Sequence, residues 1–440
     1  MKARAPSLRA YRGSLLHFLG DPGDGDAAPA VQYFDDGLLV VENGFVKAAD
    51  EARMLLPALP AGAQIVDYAG HLLLPGFIDT HIHYPQTDMI AAYAAQLLDW
   101  LDDHAFPAEH RFADAGHAAE CSRFFLDELL RNGTTTALVF GTVHPSSVDA
   151  FFAQAESRNL RMIAGKVLMD RNCPEYLRDT AHSGYRDSSA LIEKWDGRGR
   201  LHYAITPRFA VTSSEAQLES AGRLAAEHPG VFVHSHVAEN LKEVKWAREL
   251  FPQARSYLDI YERFGLLRER AVYAHCIHLD DEDRQRMTHT GAAAAVCATS
   301  NLFLGSGLFD FAAARRAGMR TGLGTDVGGG TSFSMLRTLA ETYKVAQMRG
   351  HRLTPWRSFY LATLGGAKAL GLDDRIGSFA PGREADFVVL RMDSTPLIAR
   401  RMKTAHTPAE KLFALMMLGD DRAVGATYIM GERVWDLFNS

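Results

Sequence analysis

Cysteine is scarce in this sequence, and the few cysteines are widely separated. The 440 residues include four cysteines, Cys121, Cys173, Cys276 and Cys297, and no two of them have the C-x-x-C spacing. This scatter argues against a disulfide framework and against a structural zinc ribbon, which both need cysteines at close and regular spacing. We therefore expect reduced thiols in a cytoplasmic protein.

Long apolar runs and clusters of basic residues are also missing. No apolar stretch approaches the roughly 18 residues of a membrane-spanning helix, and the run from Ser14 to Gly20 is too short and interrupted for a signal sequence. The net charge is −6, with no basic run, which argues against a surface that coats nucleic acid. With 47% hydrophobic and 23% charged residues, the composition is that of an ordinary globular protein. We expect neither a membrane nor a nucleic acid as a partner.

The most informative segment is the run from Leu73 to Gln86, in which an apolar strand ends in His81-Ile-His83. Residues i and i+2 of a strand point to the same side, so both imidazoles can reach one ion. Neutral imidazole is a common metal donor and suits zinc. Two satisfied histidines in a half-buried strand would explain this motif alone equally well.

Other donor residues also follow short apolar runs. His234 and His236 follow one such run, with Glu239 three residues later, and His275 and Asp326 end two more. Three histidine donors and a carboxylate, each at a strand end, are hard to explain as core packing. They indicate one metal site assembled from several strands.

The centre of the chain alternates strand-like and helix-like segments. The eight strand-like runs are Phe77–Ile82, Thr134–Phe140, Met162–Met169, Leu201–Thr206, Val231–His236, Ala271–Cys276, Ala293–Cys297 and Met319–Asp326. Such alternation predicts an α/β fold with a parallel sheet, and eight repeats favour a closed (β/α)8 TIM barrel over a doubly wound sheet. The candidate donors end the first, fifth, sixth and eighth runs, where the active sites of such barrels lie.

Both ends of the chain consist of short strands and turns instead. Asn43-Gly44 is a hairpin signal near the N-terminus, and a turn feeds an apolar strand after Gly377. We expect the two ends to join as one small β-sandwich domain. The predicted division is residues 1–74 and 374–440 for this domain, and 75–373 for the metal-dependent barrel.

The donor set predicts hydrolytic metal chemistry. His81, His83, His236 and His275 supply nitrogen, and Asp326 supplies oxygen to the metal or to water. Zinc lowers the pKa of bound water from 15.7 to about 7, and Glu239 would serve as the proton carrier. From spacing alone, His234 competes with His236 as the ligand, and His278 competes with His275.

Four further residues near the predicted mouth of the barrel are candidates for substrate binding. Arg208 offers a fork of donors to a carbonyl or carboxylate, and Gln86 offers a donor and an acceptor to an amide edge. Phe209 and Trp100 are placed to enclose a flat ring. Ordinary roles compete with these: a salt bridge for Arg208, and core packing for the aromatic residues.

These residues together resemble the amidohydrolase superfamily and, within it, the guanine deaminase family, almost from end to end of the chain. The segment Pro75–His83 is similar to the superfamily pattern, and Tyr84-Pro85-Gln86 to the variant in guanine deaminases. Further matching segments are 98–101, 165–170, 206–209 and 323–329.

The resemblance assigns roles to individual residues. It implies one zinc ion per chain, held by His81, His83, His236, His275 and Asp326, with Glu239 and Asp326 as catalytic groups. It implies substrate contacts from His83, Tyr84, Pro85, Gln86, Arg208, Phe209, His236, Glu239 and Asp326, to which we add Trp100. It also suggests a homodimer, and Lys166, which lies mid-strand, is not expected to bridge two metals.

The implied reaction is the hydrolysis of guanine to xanthine and ammonia. Water would add at C2 of the purine, and Arg208 would hold the C6 carbonyl. The alternatives are another deaminase of the superfamily, acting on oxidised guanine, a pterin, S-adenosylhomocysteine, adenosine or a triazine, and a scaffold protein without metal. The sequence Tyr84-Pro85-Gln86 with Arg208 argues against the former, and the complete donor set argues against the latter.

Overall fold

The computed structural model describes residues 8–25, 30–93 and 96–438. The outermost residues of the two predicted terminal segments, 1–7 and 439–440, therefore lie outside the described part of the chain. Within it, no helix combines the length and the apolar character that crossing a membrane requires.

The strands of the described residues fall into a small terminal group and a large central group. In chain order they are β1 (Leu8–Phe18), β2 (Val31–Glu42), β3 (Phe45–Glu51), β4 (Gln64–Pro75), β5 (Phe77–His83), β6 (Thr134–Phe140), β7 (Arg161–Gly165), β8 (Val167–Leu168), β9 (His202–Pro207), β10 (Phe232–Val237), β11 (Ala271–His275), β12 (Ala293–Val296), β13 (Arg320–Leu323), β14 (Phe387–Arg391), β15 (Val424–Ile429) and β16 (Glu432–Asp436).

The α-helices of the described residues lie between these strands, and most of them connect strands of the central group. They are α1 (Ala52–Leu55), α2 (Leu97–Trp100), α3 (Phe106–His110), α4 (Ala115–Arg131), α5 (Pro145–Ser157), α6 (Ala181–Trp195), α7 (Glu215–Glu227), α8 (Leu241–Leu250), α9 (Tyr257–Arg263), α10 (Asp281–Thr290), α11 (Ala298–Phe303), α12 (Phe311–Ala317), α13 (Met335–Met348), α14 (Pro355–Leu361), α15 (Leu364–Ala369), α16 (Pro396–Met402) and α17 (Pro408–Leu418). Short 3₁₀ helices span Leu56–Ala58, Tyr84–Met89, Arg111–Ala113, Glu175–Leu177, Ala210–Thr212 and Asp421–Ala423, and a π-helix spans Leu101–Ala105.

The central strands form a parallel barrel. Their order is β13-β12-β11-β10-β9-β7-β6-β5, with β8 extending the third position and pairing with β9. Main-chain bonds join the last strand's end to the first: the Asp326 N–H donates to His81 O at 2.9 Å, and the His83 N–H donates to Val327 O at 2.8 Å. All eight predicted runs are strands of this barrel, so the (β/α)8 prediction is confirmed.

The barrel interior is packed below the site residues. Ile78, Leu138, Ile163, Ala204, Phe232 and Val272, one from each of six neighbouring strands, belong to a single buried hydrophobic cluster. Four of these residues, Ile78, Ala204, Phe232 and Val272, lie in the N-terminal halves of their strands. The histidines predicted as metal donors lie instead at the C-terminal ends of β5, β10 and β11.

The strands from the two termini form one mixed sheet, in the order β16-β15-β14-β4-β1-β2-β3. The predicted hairpin at Asn43-Gly44 joins β2 to β3, and both residues have the positive φ, 54° and 86°, that this turn requires. A β domain built from both termini is thus confirmed.

The terminal sheet is continuous, rather than two separately bonded layers, because β1 pairs in parallel with β4. It curls so that its two halves face each other. Tyr11 of β1 packs against Phe387 and Tyr428 of β14 and β15, with ring centroids 4.8 and 5.0 Å apart. The sandwich-like core between the halves therefore comes from curvature of one sheet.

The junction between sheet and barrel is a buried ion network. Glu384 accepts from Nε of Arg161 at 2.8 Å and from Nη2 of Arg200 at 2.6 Å, and Arg200 also contacts Asp386. The two arginines lie at the start of β7 and before β9, and the two acids precede β14. The domain boundaries near residues 74 and 373 stay predictions.

Candidate active site

Donor atoms from four barrel strands converge at the C-terminal end of the barrel. Nε2 of His83 lies 3.1 Å from Nε2 of His81 and 3.2 Å from Nε2 of His236. Oδ1 of Asp326 lies 3.1 Å from Nε2 of His81, and Oδ2 lies 3.8 Å from Nε2 of His275. The five residues predicted as ligands therefore surround one point.

Hydrogen bonds behind the histidines determine which nitrogen faces this point. Nδ1 of His236 donates to the carbonyl of Arg208 at 2.7 Å, and Nδ1 of His275 donates to Oδ1 of Asn301 at 2.8 Å. A neutral imidazole carries one proton, so in both rings Nε2 is left as an acceptor. Such partners behind a histidine are typical of metal ligands.

The electrostatics of the cluster fit a cation. Burial lowers the pKa of His83 to about 3 and the pKa of His236 well below its usual value, so both rings are neutral. Burial alone raises the pKa of Asp326, but the imidazoles, His81 foremost, bring that pKa well below its usual range. Imidazole nitrogens and a carboxylate oxygen thus lie about 3 Å from one another, an arrangement that a metal ion between them stabilises.

The two alternatives left open by the sequence have different positions. Nε2 of His234 lies 2.8 Å from Nδ1 of His81, behind that ring, whereas His236 faces the cluster. His278 contacts the carbonyl of Ser306 at 3.0 Å through Nε2. Lys166 pairs with Asp179 and is buried away from the donors.

Glu239 lies beside the donor cluster. Its Oε2 is 3.3 Å from Nε2 of His275, and its Oε1 accepts a hydrogen bond from Ser306 at 2.9 Å. Burial, and to a lesser extent the charge of Asp326, raises the pKa of Glu239 to about 8. A carboxyl group with a pKa near neutrality both accepts and releases protons, as a general acid–base requires.

A pocket lies over the cluster. Gln86, Trp100, Arg208 and Phe209, all predicted from the sequence, contribute to its wall, together with Leu97 and Leu101 of the long connection after β5. His83, His236, His275, Glu239 and Asp326 also line it. The pocket thus brings together a donor cluster, a buried carboxyl group and an arginine, with apolar side chains beside them.

The side chains of Tyr84 and Pro85 are not among the described residues that line this pocket, so their contact with the substrate stays a prediction. The hydroxyl of Tyr84 donates to Ser147 O at 2.6 Å, and its ring packs on Phe151. The reason is local: the chain turns at His83 into a 3₁₀ helix, in which residues three apart share a face. His83 and Gln86 therefore point together, and the two residues between them point away.

Sequence reasoning missed several residues that support the site. Glu109 of α3 is 1% exposed and contacts both Arg208 and Gln86. Glu243 accepts from the N–H groups of Glu239 and Asn240 at 3.0 and 3.2 Å, and so fixes the loop that carries Glu239. A buried carboxylate has no sequence pattern of its own, so nothing in the chain marked these two.

Cys297 is a further residue that the sequence did not associate with the site. Its sulfur belongs to a group with donor atoms of His81, His275 and Asp326, all within 4.8 Å of one another. The thiol contacts the carbonyl of Ala295 at 3.5 Å. It was recognised from the sequence only as one of four scattered cysteines.

Comparison with known proteins agrees with this geometry. Residues 72–434 match the model of the amidohydrolase family. The guanine deaminase of Escherichia coli (strain K12) is 50% identical over 433 residues, 98% of each chain. The solved structure of the E. coli enzyme has a TM-score of 0.94 at 49% identity and covers 98% of this chain and 99% of that one. A guanine deaminase from C. acetobutylicum, solved with guanine bound in its active site, has a TM-score of 0.88 at 26% identity, covering 97% of this chain and 100% of that one. The chain belongs to the amidohydrolase family.

Proposed function

We propose that this protein is a guanine deaminase, which hydrolyses guanine to xanthine and ammonia. The observation that carries the proposal is the buried Glu239, with its raised pKa, between the donor cluster and a pocket that also contains Arg208. The guanine deaminases of similar sequence and structure support the choice of substrate.

The metal is proposed to be zinc, one ion per chain. His81, His83, His236, His275 and Asp326 would hold it, and the convergence of their neutral nitrogens and one carboxylate supports this set. Bound zinc would lower the pKa of water enough to make hydroxide available at neutral pH.

Glu239 is proposed to move the protons. It would take a proton from the attacking water, deliver it to the ring nitrogen beside C2, and then pass a proton to the departing amine. The balance is closed: water supplies the oxygen of xanthine, and the 2-amino group leaves as ammonia. Because Oε1 of Glu239 accepts from Ser306, Oε2 remains available to carry the proton.

Arg208 and Gln86 are proposed to recognise the purine edge. Arg208 would donate to the C6 carbonyl, which adenine lacks, and a buried donor left unpaired penalises a ring without that oxygen. Phe209 and Trp100, both buried in the pocket wall, would pack on the ring faces.

We further propose that the enzyme works in the cytoplasm as a homodimer. The four cysteines are free thiols, which supports a reducing compartment. The homodimer rests on the family resemblance alone, and analytical ultracentrifugation tests it.

The proposed activity is tested by measuring ammonia release from guanine, adenine, 8-oxoguanine, pterin and a triazine, on protein of measured zinc content. We expect ammonia release to be much faster from guanine than from any of the other rings. Faster release from another ring would retain the metal chemistry and overturn the substrate. No release from any base by zinc-loaded protein would overturn deamination of these rings.

A further inference from the structure

We infer that Glu109 is a positioning residue for substrate selection: it holds Arg208 and orients the side-chain amide of Gln86. This inference rests on the proposed function. Glu109 itself is not among the described residues that line the pocket. It acts from behind the two residues that do.

The contacts of Glu109 are close and shared. Nη1 of Arg208 lies 2.8 Å from each carboxylate oxygen of Glu109. Oε1 of Glu109 also accepts from Nε2 of Gln86 at 2.9 Å. Glu109, Arg208 and Gln86 are 1%, 2% and 2% exposed, so these bonds are shielded from water. One carboxylate therefore ties together two residues of the pocket wall.

The charge of Glu109 determines which end of the Gln86 amide faces which neighbour. A carboxylate paired with a guanidinium only accepts hydrogen bonds, so the Gln86 atom beside it must be the NH₂ group. The amide oxygen then accepts from the N–H of Gly328 at 3.1 Å. With both ends assigned, Gln86 presents one pattern of donors and acceptors to a bound ring.

Glu109 also stabilises the charge of Arg208 in its buried position. A guanidinium taken out of water needs a partner, and the described residues give its side chain hydrogen bonds only to Glu109. Phe106, three residues before Glu109 on α3, lies under the guanidinium at 5.2 Å from the ring centroid. The short helix α3 thus supplies both contacts that hold Arg208.

Loss of Glu109 should impair the choice between substrates more than the hydrolysis itself. If Glu109 were lost, Arg208 would lack its partner, and the Gln86 amide would be held only by its bond from the Gly328 N–H. The metal ligands and Glu239 make no contact with Glu109 among the contacts of the described residues. Recognition of the C6 carbonyl should therefore fall while metal binding is retained.

The test compares wild type with Glu109→Gln, which keeps the shape and removes the charge. Binding to the zinc-loaded proteins is measured by calorimetry with hypoxanthine and purine, which differ in the C6 oxygen and the N1 proton that accompanies it and carry no amine to lose. We expect hypoxanthine to bind about tenfold more weakly to the variant, with purine nearly unchanged. We expect kcat/KM for guanine to fall about 100-fold, with unchanged zinc content.

Two matched variants complete the experiment. Glu120→Gln, on the exposed side of α4, should behave as wild type in every assay. In an Arg208→Ala background, Glu109→Gln should cause little further loss, because its main route of action is already removed. Equal weakening of hypoxanthine and purine, or fully additive losses in the double variant, would overturn the inference.

The outcomes separate this inference from the proposed function. If wild-type protein released no ammonia from guanine, the proposed function would fail, whatever Glu109 does. If wild type were active and Glu109→Gln matched it, only the inference would fail. Should Glu109→Gln not fold, Glu109→Asp serves instead: it keeps the charge and withdraws the carboxylate by one methylene, and should show the same selective loss for hypoxanthine.

Discussion

Glu239 owes its chemistry to the residues around it. Buried in the pocket floor, it has one oxygen bonded to Ser306 and the other near His275, and its main chain is tied to Glu243. Burial raises the pKa of Glu239 to about 8, well above an ordinary carboxyl group. A group of this kind can carry a proton in either direction near neutral pH.

Replacing Glu239 tests its role directly. We expect Glu239→Gln to lower kcat for guanine about 1,000-fold, because an amide cannot relay the proton. The metal per chain, measured by atomic emission, should be unchanged. Glu219→Gln, at an exposed position of α7, is the control. Wild-type turnover in Glu239→Gln would remove this residue from the mechanism.

At this scale, sequence reasoning found the donors but not their supports. His81 and His83 are marked by their spacing, and His236, His275 and Asp326 by their place after apolar runs. Glu109 meets Arg208 across 99 positions of the chain, and a contact at that separation leaves no local pattern. Spacing alone likewise could not separate His234 from His236; the family resemblance chose His236, and that ring faces the cluster.

The short elements after β5 show how backbone geometry selects side chains. The 3₁₀ helix Tyr84–Met89 brings Gln86 to the same face as His83, and α3 then carries Phe106 and Glu109 to Arg208. Both elements lie in the long connection between β5 and β6. Both helices are too short to be recognised from an apolar pattern in the sequence.

The closeness of neighbouring barrel strands makes Gly165 of β7 a sensitive position. A Cβ there would lie 1.7 Å from the carbonyl oxygen of Ala204 in β9, and the obstacle is main chain, which cannot rotate away. We expect Gly165→Ala to lower the free energy of unfolding by about 3 kcal/mol, measured by urea denaturation.

Gly230→Ala is the matched control, because a Cβ at that position meets nothing within 4 Å. It should leave stability within about 0.5 kcal/mol of wild type. An equal loss in both variants would show that the β7–β9 contact is not the cause.

Strands were easier to predict than the way they assemble. Each of the eight runs is apolar and ends in a polar or glycine-containing segment, so its position was visible in the chain. The curl of the terminal sheet was not visible, since it depends on packing of Tyr11 against Phe387 and Tyr428, which follow it 376 and 417 residues later in the chain. Curvature is a property of the assembled sheet rather than of any strand.

In the whole molecule, the barrel and the terminal sheet are joined by charge. Glu384 and Asp386 meet Arg161 and Arg200 at the junction, and all four side chains are nearly buried. Breaking a buried ion pair leaves a charge without compensation. The junction should therefore be a sensitive point for stability.

We expect Glu384→Gln to destabilise the protein by about 3 kcal/mol at neutral pH, measured by urea denaturation. Glu193→Gln, at an exposed position of α6, should have no comparable effect. A small loss, near that of the control, would mean that Asp386 alone compensates both arginines.

The loss of stability caused by Glu384→Gln should depend on pH. Burial opposes ionisation of Glu384, but the bond from Arg161 and the charge of Arg200 hold the pKa of Glu384 below its usual 4.5. Its contribution is therefore complete above about pH 4.5 and is lost as the pH falls through the lower folded-state value. The difference in unfolding free energy between wild type and Glu384→Gln should shrink over that acid range, and a constant difference would contradict the ion-pair explanation.

The main chain and the side chain of Arg208 have separate functions. Its carbonyl accepts from Nδ1 of His236 and orients that ring in the donor cluster, whereas its guanidinium lines the pocket. A carbonyl is present whichever amino acid occupies position 208, so a substitution there would alter the pocket wall and leave the bond to His236 in place. The buried Glu109 would then lack its partner, so a new ring preference at position 208 requires a matching change at position 109.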